Sequence, residues 1–324
     1  MKPILILSLL LFSLPTFLLD FKKDKLIILA SLSNYGCDFD GDKLGDLAVW
    51  DPHKNTLYFQ LTSDNKFYVK KFFDSDLNYN PVFADYDGDG KTDFVFYQID
   101  SGQWISYLSS QPGISHKMFL GAVCDHPVPV SLYTPKKYDI AVWRPNAGIW
   151  ALPIANEQEG SPYSVHYQGG ASDSAFAGDY DGDGKSDLGI WRSETGFWHI
   201  DKSSTKYDPN QGESVQHGTG WDIIVPNDYD ADGKCDLVFW RPEDQTWYFI
   251  YSSNQSKNNI KFGDKDDIPS SNDLNGDGTP ELVMWNMNKK SWNILDLKTQ
   301  QTYSYKWEVP DGSLSATSVL EKYE

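Results

Sequence analysis

Acidic residues recur at alternate positions in five short loops of the sequence. In the clearest copy, Asp179, Asp181 and Asp183 alternate with other residues, and Asp187 follows four residues later. Alternate spacing lets a tightly turned backbone direct successive carboxylates toward one point, and such a set of oxygen atoms suits a hard cation. Several carboxylates in a flexible loop favour calcium over magnesium, because magnesium retains its waters. The loops therefore predict calcium sites.

We number each loop from its first acid, so that the predicted ligands occupy positions 1, 3, 5 and 9. Position 7 would contribute only its backbone carbonyl, and glycine at position 6 permits the sharp turn. The predicted ligands, loop by loop, are Asp38, Asp40, Asp42 and Asp46; Asp85, Asp87, Asp89 and Asp93; Asp179, Asp181, Asp183 and Asp187; Asp228, Asp230, Asp232 and Asp236; and Asp273, Asn275, Asp277 and Glu281. The sequence thus predicts up to five calcium ions, the first loop being the weakest because Lys43 replaces the glycine.

An EF-hand begins with the same alternation of acids, but it also needs a bidentate glutamate at position 12 and flanking helices. Position 12 is apolar in every copy; the residues are Val49, Phe96, Ile190, Phe239 and Met284. This excludes the EF-hand. For a single loop the alternative is an acidic turn without metal, and five copies in register argue against that alternative for the set.

The loops recur at a nearly fixed period. Their first residues are separated by 47, 94, 49 and 45 residues, and the gap of 94 corresponds to two periods. The segment Asp139–Trp143 matches the strand that follows the other loops, so a sixth unit begins near Ser131 with a loop that has lost its acids. Such a period indicates one supersecondary unit repeated along the chain.

Each unit reads as about four short strands. An apolar run such as Asp187–Trp191 follows the loop, and a second strand opens on an aromatic residue such as Trp198. A third strand such as Tyr163–Tyr167 and a short strand such as Ser174–Ala177 complete the unit. These runs are too short for helices, and helical periodicity is absent from the sequence. Four-stranded units at this spacing predict an all-β protein, a β-propeller of six or seven four-stranded blades, five of which carry a calcium-binding loop.

We expect one propeller domain over residues 22–324, because neighbouring blades bury their faces against each other. The predicted units lie near residues 31–80, 81–125, 126–172, 173–222, 223–267 and 268–310. The alternative is a partial seventh blade, formed by the terminal segments Lys25–Leu29 and Ser315–Val319.

Composition restricts the function classes. The net charge is −18, and nineteen of the 46 acidic residues lie at the predicted ligand positions, so the acidity is partly a metal-site signature. Nucleic acid is not expected as a partner, because phosphate binding needs a basic patch. Most of the twelve tryptophans occupy repeated positions. We interpret them as blade-to-blade packing, with sugar-stacking platforms as the alternative.

The N-terminal region is apolar from Ile4 to Leu19 after a single basic residue, Lys2. This pattern is typical of a secretory signal peptide, so we expect residues 1–21 to be a signal peptide or, if uncleaved, an anchor. Weak calcium sites of about 10⁻⁴ to 10⁻³ M are filled only where calcium is abundant, outside the cytosol. The expected location is therefore secreted, periplasmic or at the cell surface, with membrane contact only if the segment is retained.

The segment Phe176–Trp191 resembles the FG-GAP/VCBS repeat family, which includes the calcium-binding blades of integrin α-subunit propellers and many secreted bacterial proteins. The resemblance extends over roughly residues 31–310. It implies a calcium-binding propeller and, more loosely, adhesion or ligand binding. Integrin propellers usually have seven blades, whereas six units are counted in this sequence.

These observations predict a non-catalytic binding or adhesion module for an extracellular protein or glycan, stabilised by calcium. The six histidines are scattered, and neither HExxH nor GxSxG occurs, so we predict no catalytic residues and no organic cofactor. Two alternatives remain open. One is a lectin with sugar pockets between blades, and the other is an extracellular polysaccharide hydrolase or lyase.

Overall fold

The structure is a computed structural model that describes residues 27–28, 37–75, 77–154 and 163–307. These residues form six consecutive four-stranded antiparallel sheets, which are the blades of a β-propeller. In the described part of the chain there is no α-helix, and no helix there has the length and apolarity to span a bilayer. The predicted leader, residues 1–21, and the segment Ser315–Val319 lie outside the described residues.

The strands follow one another in chain order within every blade. Blade 1 contains β1 (Ile27–Ile28), β2 (Leu47–Asp51), β3 (Thr56–Gln60) and β4 (Phe67–Lys71); blade 2 contains β5 (Tyr79–Pro81), β6 (Phe94–Gln98), β7 (Gln103–Tyr107) and β8 (His116–Phe119); blade 3 contains β9 (His126–Pro127), β10 (Val142–Arg144), β11 (Ile149–Pro153) and β12 (Tyr163–Tyr167); blade 4 contains β13 (Asp173–Gly178), β14 (Asp187–Arg192), β15 (Phe197–Asp201) and β16 (Glu213–Gln216); blade 5 contains β17 (Ile223–Ile224), β18 (Leu237–Arg241), β19 (Thr246–Ile250) and β20 (Lys257–Lys261); blade 6 contains β21 (Asp267–Asn272), β22 (Glu281–Asn286), β23 (Ser291–Leu295) and β24 (Thr302–Lys306).

The second strand of each blade is the most buried, as its continuous apolar sequence predicts. All five residues of β2 and all six of β22 are buried, whereas every residue of β24 is exposed at the outer edge. In blade 4, Trp191 on β14 pairs with Ser174 on one side and Trp198 on the other. In blades 2 to 6 the register places the repeated aromatic residues of the second and third strands side by side, whereas in blade 1 Trp50 pairs with Leu57.

The ring closes between blade 6 and blade 1, which settles the blade number at six. Ile27–Ile28 pairs with β2 and is the first strand of blade 1 rather than part of a seventh blade. Leu47 and Val49 of blade 1 pack in one buried cluster with Trp285 of blade 6. A backbone hydrogen bond from Gly45 N–H to the Asp273 carbonyl, 2.6 Å long, also crosses this junction.

The tryptophans are core residues with one exception. Nine are fully buried; they are Trp50, Trp104, Trp143, Trp150, Trp198, Trp240, Trp247, Trp285 and Trp292. Trp191 and Trp307 are also buried, and only Trp221 is largely exposed. The packing interpretation is therefore correct for the repeated positions, and these rings are not accessible as sugar platforms.

The two ends of the ring are chemically different. Each acidic loop joins the first strand of a blade to the second, as Asp179 to Ser186 joins β13 to β14. The connections from the outer strand of one blade to the first strand of the next lie at the other end of the sheets. We call these two ends the loop face and the opposite face.

Candidate metal centres

Four of the acidic loops bring three carboxylates together. In each, one oxygen atom from each of three residues lies within 4.8 Å of the other two. The sets are Asp38, Asp40 and Asp42 in blade 1; Asp85, Asp87 and Asp93 in blade 2; Asp179, Asp181 and Asp187 in blade 4; and Asp228, Asp230 and Asp236 in blade 5. Position 5 is exposed in all four loops and belongs to the set only in blade 1, where Asp46 is not included.

The position 1 carboxylate closes each loop on itself. Asp179 accepts backbone N–H groups from Gly182 at 2.6 Å and from Gly184 at 2.7 Å. Both glycines have left-handed backbone angles, with φ of 84° and 83°, which residues with a Cβ rarely adopt. Lys43 in blade 1 and Ala231 in blade 5 take up this conformation nevertheless, with φ of 71° and 58°. The turn that gathers the acids is therefore kept even where glycine is missing.

The position 9 carboxylate lies at the buried base of each loop. Asp187 is fully buried and accepts N–H groups from Tyr180 at 2.8 Å and Ser203 at 2.7 Å. Desolvation by burial raises its pKa to about 7. The equivalent Asp46 and Asp236 also have pKa values raised to about 7 by burial, and Asp93 to about 6. A buried carboxylate beside two others is costly as an anion unless a cation joins it.

One carboxylate oxygen in blade 5 bears directly on the fit of a metal ion. Asp230 Oδ2 accepts a hydrogen bond from the Ser253 hydroxyl at 2.5 Å. Asp230 Oδ1 is buried and has no hydrogen-bond partner among the described residues. Buried polar atoms in folded proteins are almost always satisfied, and a bound cation would satisfy this one. The all-oxygen donor sets of blades 1, 2, 4 and 5 therefore fit a calcium ion.

Sequence analysis missed a second group of residues that position the carboxylates. In the same four blades, hydroxyl residues lie 16 and 17 positions after the position 9 acid. We call the two residues of each blade its hydroxyl pair. The four pairs are Thr62 and Ser63, Ser109 and Ser110, Ser203 and Ser204, and Ser252 and Ser253. The constant offset from the acid is a signal that the sequence contains, although each pair lies on a different strand connection from its loop.

The hydroxyl pair holds the outer oxygens of the loop. In blade 4 the Ser203 hydroxyl donates to Asp183 Oδ2 at 2.6 Å, and the Ser204 hydroxyl donates to Asp181 Oδ2. In blade 2 the Ser109 hydroxyl makes the same bond to Asp89, 2.7 Å long. Because one oxygen of each carboxylate is held in this way, the other is oriented within the loop. Such partners of the ligands commonly tune metal affinity.

Neighbouring loops are also hydrogen-bonded to each other around the ring. The N–H at position 8 of one loop donates to the position 1 carbonyl of the preceding blade, over 2.6–2.8 Å. The donors are Gly45, Thr92, Tyr138, Ser186 and Cys235, and the acceptors are Asp273, Asp38, Asp85, Ser131 and Asp179 respectively. In blade 6, position 8 is Pro280, which has no N–H. The loops of the described blades are thus one connected rim, with this bond missing only between blades 5 and 6.

The fifth acidic loop, in blade 6, differs from the other four. Among the described residues, its acids do not offer three oxygen atoms within 4.8 Å of one another. The Asn275 amide donates to Glu281 Oε1 at 2.5 Å, and the Lys298 ammonium contacts Asp277 Oδ1 at 2.9 Å. Position 3 of this loop is an amide rather than a carboxylate, and the donors on Asn275 and Lys298 occupy two of the oxygen atoms that the loop would otherwise offer to a cation.

The opposite face combines exposed apolar residues with ion pairs in which a buried aspartate meets a partly exposed arginine. Leu77, Val123 and Trp221 lie in connections between blades and are 49%, 60% and 60% exposed. In blades 3, 4 and 5 an arginine at the end of the second strand forms a bidentate pair with an aspartate at or near the start of the first strand. The pairs are Arg144–Asp125, Arg192–Asp173 and Arg241–Asp222, with distances of 2.7–2.9 Å. These pairs fix the ends of the strands from which the exposed connections extend.

Comparison with known proteins agrees with this architecture. Residues 38–96 match the family described as "FG-GAP-like repeat". No curated protein matches the chain. A solved structure of a streptogramin B lyase is similar over 88% of each chain, with 11% identity and a TM-score of 0.52. The crystal structure of Citrobacter koseri AztD is similar over 84% of this chain and 85% of that one, with 8% identity and a TM-score of 0.50.

At these identities the two structures share only the propeller fold with this chain. The repeat match is the more specific finding, since it covers the first acidic loop, the second and the blade between them. Together with the six four-stranded blades, it supports a six-bladed β-propeller that contains an FG-GAP-like repeat at residues 38–96.

Proposed function

We propose that this chain is an exported, non-catalytic binding module, in which calcium ions stabilise the loop face and an extracellular protein or glycan binds the opposite face. The observation that carries the proposal is the convergence of three carboxylates in each of four loops. Weak oxygen-only calcium sites suit an environment outside the cytosol, where calcium is abundant. Export is therefore part of the proposal, together with a location in the periplasm, at the cell surface or in the medium.

The role proposed for calcium is structural. Each site lies in the connection between the first two strands of a blade, and the loops are bonded to one another around the ring. An ion that binds the folded loop and not the unfolded chain adds about 2.7 kcal/mol of stability per site at a hundredfold excess over its Kd. Four such sites would stabilise the ring without any direct contact to a ligand.

The opposite face is proposed as the binding surface because its connections expose large apolar side chains. Leu77, Val123 and Trp221 belong to the connections that precede blades 2, 3 and 5. Exposed aromatic and aliphatic residues on a rigid scaffold are typical of binding surfaces. The indole of Trp221 suits either a protein partner or the apolar face of a sugar.

A lectin is the second candidate, and one cleft favours it. A cavity of about 370 Å³ lies between blades 6 and 1, lined by Tyr303 and Tyr305 together with polar groups of Gln60, Asn65 and Asp296. The two tyrosines are 42% and 45% exposed. Aromatic rings beside amide and carboxylate groups are the side-chain types that bind sugars. This cleft, rather than the repeated tryptophans, would be the sugar pocket.

An extracellular polysaccharide hydrolase or lyase is the third candidate. The streptogramin B lyase is an example of an enzyme with a similar fold, but fold does not determine function. Release of reducing or unsaturated sugar ends from a panel of polysaccharides would favour this candidate over a binding module.

Calcium-dependent melting tests the proposal. We expect the midpoint of thermal unfolding to rise with calcium and to fall in excess chelator, because the ions bind only the folded loops. An unchanged midpoint in excess chelator would contradict the calcium part of the proposal. Magnesium at equal concentration is the control, and we expect it to have a smaller effect.

A glycan array tests the binding surface. Wild-type protein is compared with Trp221→Ala on the opposite face and with Tyr305→Ala in the cleft. Glycan binding that only Trp221→Ala abolishes supports the opposite face, and binding that only Tyr305→Ala abolishes supports the lectin cleft. Glycan binding that neither variant alters would contradict both surfaces, and sugar turnover without retention would contradict the non-catalytic assignment.

A further inference from the structure

Blade 6 breaks the pattern of the hydroxyl pairs at one charged residue. The positions 16 and 17 after its position 9 acid, Glu281, are Leu297 and Lys298. Lys298 thus occupies the place of Ser63, Ser110, Ser204 and Ser253, whose hydroxyls donate to carboxylates of their own loops. A lysine stands where each calcium-fitting blade has a hydroxyl.

The Lys298 ammonium reaches into the loop. Its Nζ lies 2.9 Å from Asp277 Oδ1 and donates to the Asp277 backbone carbonyl at 2.8 Å. Both acceptors belong to position 5 of the loop, where blades 2, 4 and 5 have a carboxylate held by a hydroxyl. The side chain of Lys298 is 48% exposed and that of Asp277 31%, so the pair is held at the rim of the ring.

A second change in blade 6 supplies further donors. Position 3 is Asn275, whose amide donates to Glu281 Oε1 at 2.5 Å and to Asp296 Oδ2 at 3.3 Å. In the calcium-fitting loops, position 3 is an aspartate that offers only acceptors. An amide N–H directed at the position 9 carboxylate takes over a contact that a cation would otherwise make. The two substitutions act on the same loop and in the same direction.

We propose that blade 6 carries a built-in cation: the ammonium group of Lys298, assisted by the amide of Asn275, replaces the calcium ion that the other acidic loops bind. This inference rests on the proposed function, because it assumes that the loops of blades 1, 2, 4 and 5 hold calcium. The protein then binds four ions rather than five. Blade 6, which lacks the position 8 hydrogen bond to blade 5, keeps its loop folded when calcium is absent.

Calcium counting by elemental analysis of the dialysed full chain tests the inference. Asp277→Ala removes a position 5 carboxylate in blade 6, and Asp181→Ala removes a position 3 carboxylate in blade 4. We expect Asp277→Ala to leave the number of bound ions unchanged and Asp181→Ala to lower it by one. A loss of one ion in Asp277→Ala would overturn the inference, whereas a wild-type count of zero would overturn the calcium part of the proposed function.

A variant that restores the common pattern gives the converse test. Asn275→Asp combined with Lys298→Ser recreates the position 3 carboxylate and the second hydroxyl of the pair. We expect this double variant to bind one calcium ion more than wild type. In a wild type that does bind calcium, an unchanged count in the folded double variant would count against Lys298 as the substitute.

Melting in excess chelator keeps the inference testable whatever the calcium count. Lys298→Met leaves Asp277 and its neighbouring acids without the ammonium, so we expect a lower melting midpoint than wild type. Lys298→Arg should restore most of the loss. Lys261→Met, which removes an exposed lysine from the edge of blade 5, controls for the change in net charge. If Lys298→Met melted at the wild-type midpoint, or no lower than Lys261→Met, the substitute role would be excluded.

Discussion

The position 9 carboxylates are buried groups at which protons and the proposed calcium ion would compete. Burial raises the pKa of Asp187 and Asp236 to about 7, well above the ordinary value of 3.8. Between about pH 4 and 7 the metal-free folded state therefore binds more protons than the unfolded state, and its stability falls as pH rises. A bound divalent cation favours the ionised form and competes with these protons.

From this competition we predict that the rise in melting midpoint caused by calcium is largest near pH 7.5 and shrinks toward pH 5.5. The midpoints of calcium-loaded and metal-free protein are measured by differential scanning calorimetry across this range. Burial lowers the pKa of His217 to about 4, but this group titrates in both samples and its contribution cancels in the difference. A calcium-induced shift that stayed constant with pH would be inconsistent with the carboxylates as ligands.

The hydroxyl pairs give a second prediction for single residues. In Ser204→Ala, Asp181 loses the donor that holds its outer oxygen, so its inner oxygen is less well oriented. We expect one of the calcium sites to weaken by about 10-fold or more, the usual effect of removing such a partner. Equilibrium dialysis with radioactive calcium measures the affinity. Ser164→Ala, in the exposed outer strand of blade 3, is the control and should leave all sites unchanged.

For single residues, the sequence predicted the acids that lie within one loop, but it did not predict the residues from other strand connections that contact those acids. The alternation of Asp179, Asp181 and Asp183 is a pattern within one loop, so it was readable directly. The contact of Ser204 with that loop spans 23 residues and depends on a strand turning back on itself. The contact of Lys298 with Asp277 spans 21 residues and became visible only once the blade was folded.

Within the blades, the two residues that face each other at one position between the first and second strands have complementary side-chain volumes. Phe176 on β13 faces Gly189 on β14, whereas Val82 faces Val95 in blade 2 and Val225 faces Val238 in blade 5. A Cβ on Gly189 would lie 2.0 Å from the Phe176 ring. The glycine is therefore the small partner of a large residue and not a flexible point in the strand.

We predict that Gly189→Val destabilises the protein by about 1–3 kcal/mol or more through overpacking. Adding Phe176→Val should recover most of the loss, since the pair then matches the valine pairs of blades 2 and 5. Urea unfolding of the wild type, both single variants and the double variant gives the coupling energy between the two sites. Additive changes in the free energy of unfolding would show that the Phe176 side chain and Gly189 do not interact, which would contradict the prediction.

The second strands were predictable because apolar runs of four residues are a local property, and β14 and β22 lie where the runs are. The first strand of blade 1 could not be predicted in this way, because Ile27–Ile28 and its partner Val49 are separated by the whole first loop. The repeat implied that each blade needs such a strand. It did not show whether the N-terminal segment would complete blade 1 or begin another blade.

For the whole molecule, the unit count was readable from sequence but the closure was not. Six units follow from the repeat, whereas a six-membered ring requires contacts between the first and last blades, which lie far apart in the sequence. Asn272 at the end of β21 makes such a contact, donating from its side-chain amide to the Asp46 backbone carbonyl at 3.2 Å. It is buried, and it packs against Gly45, where a Cβ would lie 2.2 Å from the Asn272 amide.

We predict that Asn272→Ala weakens the ring at its closure and lowers the free energy of unfolding by about 1–3 kcal/mol, because a buried carbonyl loses its donor. The equivalent residue of blade 5 is Asn227, whose side-chain N–H donates across the junction to the Ser271 hydroxyl at 3.1 Å and whose oxygen accepts locally from the Asp228 N–H at 2.9 Å. Asn227→Ala is therefore the matched control and should cost less, since it breaks a bond between consecutive blades that the chain itself keeps adjacent. Urea unfolding followed by tryptophan fluorescence measures both, because the buried indoles lie between the blades. Equal losses in the two variants would contradict the prediction. They would mean that the junction between blades 6 and 1 is no more sensitive to a lost hydrogen bond than a junction between consecutive blades, which the chain itself connects.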